Sequence, residues 1–143
     1  MSNHFNEPLF VISVAARLVQ MHPQTLRKYE REGLIAPSRT QGNLRLYSDR
    51  DIERLRQVKY LVEDLGLNLA GVQMVLEVTR RLRDMRRFTM DRVDQAGDTA
   101  GSDTFLALSG EIATMLRTLG YIDEDEAQVP RHRDLNRPDS VRS

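Results

Sequence analysis

Apolar and polar positions in the first half of the chain mark short helices broken by turns. From Ile12 to Gln20, Val14, Ala15 and Leu18 gather on one side of a helix, with Ser13 as a candidate N-cap. Gln20-Met21-His22 interrupts that pattern, and His22 is placed to cap a second helix. Pro23 then stands where a helix tolerates it best, because the first turn leaves its N–H groups unbonded in any case. Leu26 and Tyr29 carry the periodicity on. Gly33 supplies a left-handed C-cap, and Leu34 folds back as its apolar partner. The prediction is two short helices joined by a tight turn, the geometry of a helix-turn-helix.

Turn formers stand next at Pro37, Gly42 and Asn43, and Leu44 and Leu46 alternate with Arg45 and Tyr47 as in a short strand. This predicts a small β-hairpin, or wing, with Arg39 and Arg45 near its tip and flank. Ser48 and Asp51 have capping-box spacing ahead of a third helix. Its stripe is Ile52, Leu55, Val58, Leu61, Val62 and Leu65, and Gly66 ends it. Asn68 caps a fourth helix bearing Leu69, Val72, Val75, Leu76 and Leu82, whose pattern extends to Val93 with Arg80, Arg81, Arg83, Arg86 and Arg87 outside. Residues 95–104 read as a linker. Phe105 to Gly120 is helical again, and Phe105, Leu108, Ile112, Met115 and Leu119 are spaced as a heptad seam. That seam must be covered by the chain itself or by a partner. With Leu82 and Met85 it forms the candidate dimerisation set.

These elements give a mainly α fold: a winged helix-turn-helix with a small β wing, then a helical dimerisation or coiled-coil region. The expected organisation is a flexible start at 1–9, a winged-helix unit at 10–80, a helical region at 81–122 and a disordered tail at 123–143. Composition agrees with this. Of 143 residues, 29 % are charged and 40 % hydrophobic, which suits a folded chain. Aromatics are 6 % with no Trp, so the core is aliphatic. No cysteine is present, which excludes disulfides, thiolate metal sites and cysteine nucleophiles. No run approaches the roughly 18 apolar residues of a membrane span. Met1 to Pro8 lacks the basic flank and cleavage site of a secretory signal.

Charge changes the picture more than composition does. Lys plus Arg and Asp plus Glu are 21 each, for a formal net charge of zero. From Arg17 to Lys59, however, ten basic residues face five acidic ones, whereas from Asp94 to Glu126 eight acidic residues face only Arg117. A basic block over a helix-turn-helix points to nucleic acid. The second helix of such a motif enters the major groove with its N-terminal residues at base edges. Here those residues are Gln24, Thr25, Arg27 and Lys28; Gln pairs bidentately with adenine and Arg with guanine. Tyr29, Arg39, Arg45 and Tyr47 carry donors suited to phosphate oxygens, while both tyrosines are also core candidates. No enzyme pattern competes. His4, His22 and His132 lie far apart, no Gly-rich loop comes after a strand, and Glu63-Asp64 reads as surface.

Val11 to about Met85 resembles the MerR family of winged-helix transcription regulators. Within it, the HspR branch of heat-shock repressors is most similar over Ile12-Ser13-Val14-Ala15-Ala16, Met21-His22-Pro23-Gln24-Thr25-Leu26-Arg27, Tyr29 and Gly33-Leu34-Ile35. Arg39-Thr40, Arg45, Tyr47-Ser48, Arg50-Asp51-Ile52 and Asn68-Leu69-Ala70-Gly71 extend the match. The resemblance implies a cytoplasmic, nucleoid-associated homodimer that binds inverted repeats in double-stranded DNA upstream of chaperone operons. It implies repression with the Hsp70 chaperone DnaK as co-repressor, and no cofactor or small-molecule ligand. It adds Arg17 to the backbone contacts. The metal-sensing cysteines of some relatives have no counterpart here. Leu46 stands where the branch usually has a second wing arginine. After Met85 nothing aligns, so the dimer helix is either Val75–Val93 or Phe105–Gly120, and Leu106, Leu108, Leu116, Leu119, Tyr121 and Ile122 are a candidate chaperone-contacting set. Two alternatives remain open: an activator that distorts promoter DNA, and an interaction protein that docks on a chaperone through its C-terminal half.

Overall fold

The computed structural model describes residues 4–96 and 100–122. Helix α1 (Ile12–Val19) and helix α2 (Pro23–Arg31) are joined by a left-handed residue, Gln20, at φ 55°. The Gln20 N–H donates to the Arg17 carbonyl (3.2 Å) and the Met21 N–H to the Ala16 carbonyl (2.9 Å), which closes α1 as a Schellman motif. Lys59 Nζ donates to the carbonyls of Val19 and Gln20, and Arg56 Nη2 to that of Leu18, so cations meet the negative end of the helix. The cap of α1 differs from expectation. Val11 is the N-cap, and Ser13 lies inside the first turn, because the chain enters α1 directly from a strand. At the start of α2, Pro23 succeeds His22, whose Nδ1 accepts from the Gln24 N–H at 3.0 Å. At its end Gly33 has φ +76°, its N–H donates to the Glu30 carbonyl, and the Leu34 N–H reaches back to Tyr29.

The wing is β2 (Ser38–Arg39) antiparallel to β3 (Arg45–Tyr47), paired Arg39 with Arg45. A third strand, β1 (Phe10–Val11), pairs with the other side of β3, Phe10 opposite Tyr47, giving the order β1-β3-β2. Two residues are too few to show alternation, so the apolar pattern does not reveal β1. The Leu9 N–H donates to the Tyr47 carbonyl at 3.0 Å. Upstream, Phe5 is buried and carries the Arg50 guanidinium 5.6 Å from its ring centroid. Residues 4–9, expected to be flexible, are therefore tied to the fold through the Phe5 ring and the Leu9–Tyr47 ladder bond.

Ser48 and Asp51 form a reciprocal capping box at the start of α3 (Asp49–Lys59). The helix does not end cleanly at Gly66. It widens into a π turn at Tyr60–Asp64, which adds a residue to the turn and rotates the stripe. Leu61 stays in the core, but Leu65, expected there, is 50 % exposed. Asn68 Oδ1 accepts from the Gly71 N–H (2.9 Å) at the start of α4, which runs unbroken over Leu69–Ala96. The expected linker at 95–104 is much shorter than predicted: α5 spans Ala100–Thr118, and residues 97–99 lie outside the described residues, as does the expected tail at 123–143.

One core holds α1, α2, α3, β3 and the start of α4 together: Ala15, Ala16, Leu26, Tyr47, Leu55 and Val72 are all buried in it. Helix α5 packs back along α4. This splits the predicted heptad seam. Ile112 is 0 % exposed, with Ser109 and Leu116 buried beside it on the same face. Leu108 and Met115 point outward, and Phe105 and Leu119 are half-buried. Of the two coverings open to that stripe, the chain's own hairpin covers Ile112 fully and Phe105 and Leu119 in part. The end of α5 reaches α3: Gln57, itself buried, donates through Nε2 to Thr79 Oγ1 and to the Leu119 carbonyl, both at 3.0 Å. Gly120, at φ +80°, passes so close to Tyr60 that an added Cβ would lie 2.6 Å from the ring.

That contact predicts a stability difference. Gly120→Ala combines a left-handed backbone with overlap on Tyr60 and should destabilise by ~2 kcal/mol. Gly110→Ala, in mid-α5 with open space around it, should be neutral or gain up to about 1 kcal/mol. Thermal melts of both variants beside the parent check this ordering.

Candidate nucleic-acid interface

Helix α2 is divided by its anchors. Leu26 and Tyr29 point into the core, which leaves Gln24 and Lys28 exposed and Thr25 and Arg27 half-exposed on the other side. Neither α1 nor α2 has an acidic residue in its first turn, so the positive ends of both helices are left uncompensated. Arg31 is exposed in the last turn of α2. Lys28 Nζ is 3.9 Å from Glu32, one turn on, an exposed pair that holds the side chain only loosely. Arg17 is exposed on α1.

The wing meets α2 through a carboxylate that sequence reasoning missed. Glu30 binds both wing arginines at 2.5 Å: Arg39 Nη2 donates to Oε1 and Arg45 Nε to Oε2. Burial pushes the Glu30 carboxyl up, but the hydrogen bonds and charges of Arg45 and Arg39 outweigh it and hold it below the usual carboxylate range. The group stays ionised across the neutral range. The one signal in the sequence is an acid within an otherwise basic helix, Arg27-Lys28-Tyr29-Glu30-Arg31.

The two tyrosines fall on the core side. Tyr47 is 0 % exposed, so it cannot reach a phosphate, and its backbone-contact assignment is corrected. The strand alternation that made it a candidate turns its ring inward, and its hydroxyl has no hydrogen-bond partner among the described residues. Burial, with the Glu30 charge nearby, pushes its phenol above the ordinary value. Tyr29 is also buried, under α2, and burial with the charges of Glu63 and Glu32 raises its phenol in the same direction. Its side chain is chiefly an anchor.

The basic block divides in a way that its sequence does not reveal. Arg54 Nε donates to the Leu34 carbonyl at 2.6 Å, Arg56 pairs with Glu53, and Lys59 caps α1. Arg50 stacks on Phe5. These four hold the fold. Arg17, Lys28 and Arg31 are exposed and Arg27 and Arg45 half-exposed, while Arg54 is exposed as well as bonded to the Leu34 carbonyl. Among the described residues no group of three or more His, Asp or Glu side chains is placed to hold a metal, and no helix is long and apolar enough to cross a membrane.

Comparison with known proteins agrees with this geometry. Residues 10–79 match the profile of the MerR HTH family of regulatory proteins. The chain is 52 % identical over 79 residues to a heat shock protein, HspR, of Streptomyces coelicolor, a match covering 55 % of this chain and 52 % of that one. It is 44 % identical over 69 residues to the HTH-type transcriptional regulator GlnR of Bacillus anthracis, covering 48 % and 53 %. The HTH-type transcriptional regulator MlrA of Escherichia coli is 39 % identical over 69 residues, 28 % of its own length. The chain thus spans about half the length of HspR and GlnR.

The buried Tyr47 hydroxyl gives a direct check. Tyr47→Phe removes a polar atom that lacks a partner and should leave Tm unchanged or raise stability by up to about 1 kcal/mol, with DNA affinity unaltered. A melt and a DNA titration on the same preparation test both halves.

Proposed function

Because residues 10–79 are a MerR-family helix-turn-helix domain, we propose that this chain is a sequence-specific DNA-binding repressor of heat-shock genes, acting as a homodimer on inverted repeats. The observation that carries the DNA reading is the outer face of α2. Gln24, Thr25, Arg27 and Lys28 stand clear of the core on the turn-proximal half of the helix that a major groove would receive. Arg17 and Arg45 are the backbone-contacting set, which positions without specifying, while Arg39, assigned to it from sequence, is bonded to Glu30 and Asn43 within the wing. The heat-shock assignment is supported by the identity to HspR and by the motifs that resemble its branch.

The regulatory logic is one of mass action. DnaK acts as co-repressor by favouring the DNA-competent state of the repressor. Unfolded proteins that occupy DnaK lower its free concentration and release the genes.

The dimer face is carried by α4. Met74, Val78, Met85 and Phe88 are exposed, Met74 by 70 % and Phe88 by 56 %. With Arg81 filling the gap, their spacing is a heptad seam on the side of α4 left open by α5. Of the residues assigned to dimerisation from sequence, Met85 lies on this seam and Leu82 is half-buried next to it. Leu108 and Met115 on α5 add exposed apolar surface, while Ile112 is occupied within the chain. Two joined half-site contacts multiply a modest single-site affinity.

Fluorescence anisotropy on the DNA upstream of the protein's own gene, against scrambled DNA at stated salt and with or without DnaK, tests the reading. Sequence-dependent binding strengthened by DnaK is expected; no sequence preference would sink it, and indifference to DnaK would remove the chaperone link alone. In the same assay Arg27→Ala should cost about 1–3 kcal/mol on the cognate site and blur preference, whereas Arg45→Ala should weaken all DNA and flatten the salt dependence.

The double variant Met85→Glu, Phe88→Glu should convert the dimer to a monomer by sedimentation. It should also lower operator affinity at least ~10-fold through loss of the second half-site.

A further inference from the structure

The wing's hydrogen bonds give its two arginines different work. Arg39 commits both terminal nitrogens inside the protein. Nη2 donates to Glu30, and Nη1 to the backbone carbonyl and side-chain Oδ1 of Asn43, at 3.3 and 3.2 Å. Asn43 has φ +64°, the left-handed turn residue of the wing, so Arg39 is a strut that fixes the turn. Arg45 commits only Nε, to the other oxygen of Glu30, and its Nη1 and Nη2 have no partner among the described residues. Its side chain is 27 % exposed. A guanidinium gripped by Nε with both terminal nitrogens open offers the fork that a phosphate takes bidentately.

We infer that Glu30 is a positioning residue: from α2 it commits Arg39 to the wing turn and aims Arg45 as the wing's phosphate clamp. The inference rests on the DNA reading of α2 and the wing. Its physical basis is pre-organisation. A long arginine side chain loses rotamer freedom on binding, and here that ordering happens during folding. The two bonds also tie the wing to the helix that lies in the groove, so phosphate contact by the wing and base contact by α2 come in a fixed register. The carboxylate contributes a second effect by cancelling part of the local positive charge, so DNA that cannot use the fork is held weakly.

The test is a salt titration of anisotropy on cognate and scrambled DNA for the full chain and its variants. Glu30→Gln is close to isosteric but cannot hold two guanidiniums by charge. It should weaken cognate binding about 5-fold or more and strengthen scrambled-DNA binding, since Arg39 is released and a negative charge is lost. The slope of log K against log salt should steepen by up to ~0.9, one more phosphate neutralised. A merely structural residue would weaken both DNAs together, and that result would overturn the inference. In the Arg45→Ala background the loss of cognate affinity on Glu30→Gln should shrink to the part carried by Arg39; an undiminished loss would show that Glu30 does not act through Arg45 and would overturn the inference. Arg39→Leu serves as an independent variant. It should lower cognate affinity without flattening the salt slope, and a flattened slope would make Arg39 a phosphate contact and overturn the division of roles. A parent protein with no sequence preference is a different result, and it removes the DNA reading itself.

Discussion

A helix of nine residues does not hold its shape alone in water, so the exposed face of α2 exists only because Leu26 and Tyr29 are buried beneath it. Those two side chains, three residues apart, turn the opposite flank of the helix outward and set its rotation. The Schellman closure at Gly33 and the His22 cap fix where it stops and starts. Tyr47 and Leu55 press on the same core from the wing and from α3, and through them the wing takes its place beside α2. Loss of that core would leave the polar residues present and their arrangement gone.

Features governed by local chemistry were legible in the sequence. Pro23 after His22, Gly33 before Leu34, and the Ser48–Asp51 box each act over three or four residues, and each needs a specific side chain. The long reach of α4 was also readable from its period. Features set by distant contacts were not. Strand β1 is only two residues long and is defined by its pairing with β3. The π turn at Tyr60–Asp64 has no residue signature, yet it moves Leu65 from core to solvent. The seam on α5 has the right spacing, but spacing does not say which surface covers it: α4 of the same chain covers Ile112 and leaves Leu108 and Met115 exposed.

The candidate interface obeys the same rule. Gln24, Arg27 and Lys28 could be placed on the outer flank once α2 was located. Tyr47 could not, because a strand's alternation leaves open which face is core. Glu30 escaped notice because its role is a tertiary one. It joins Arg39 and Arg45 to α2 across nine and fifteen residues of chain. Charge counting also overstated the reservoir of DNA-facing cations, since Arg50, Arg54, Arg56 and Lys59 are engaged in stacking, capping and ion pairs within the fold.

That internal use of arginine and lysine bears on how such a molecule would search a genome. A chain whose cations are spread over its surface clings to any stretch of duplex, because each phosphate neutralised adds to affinity whatever the sequence. This chain has zero formal net charge and engages several of its cations in bonds within the fold, Arg54 to the Leu34 carbonyl and Lys59 to the end of α1. On the proposed DNA-binding role, fewer free cations would mean a briefer grip on random DNA, and a brief grip would let the protein sample many wrong sites quickly before it settles on a right one.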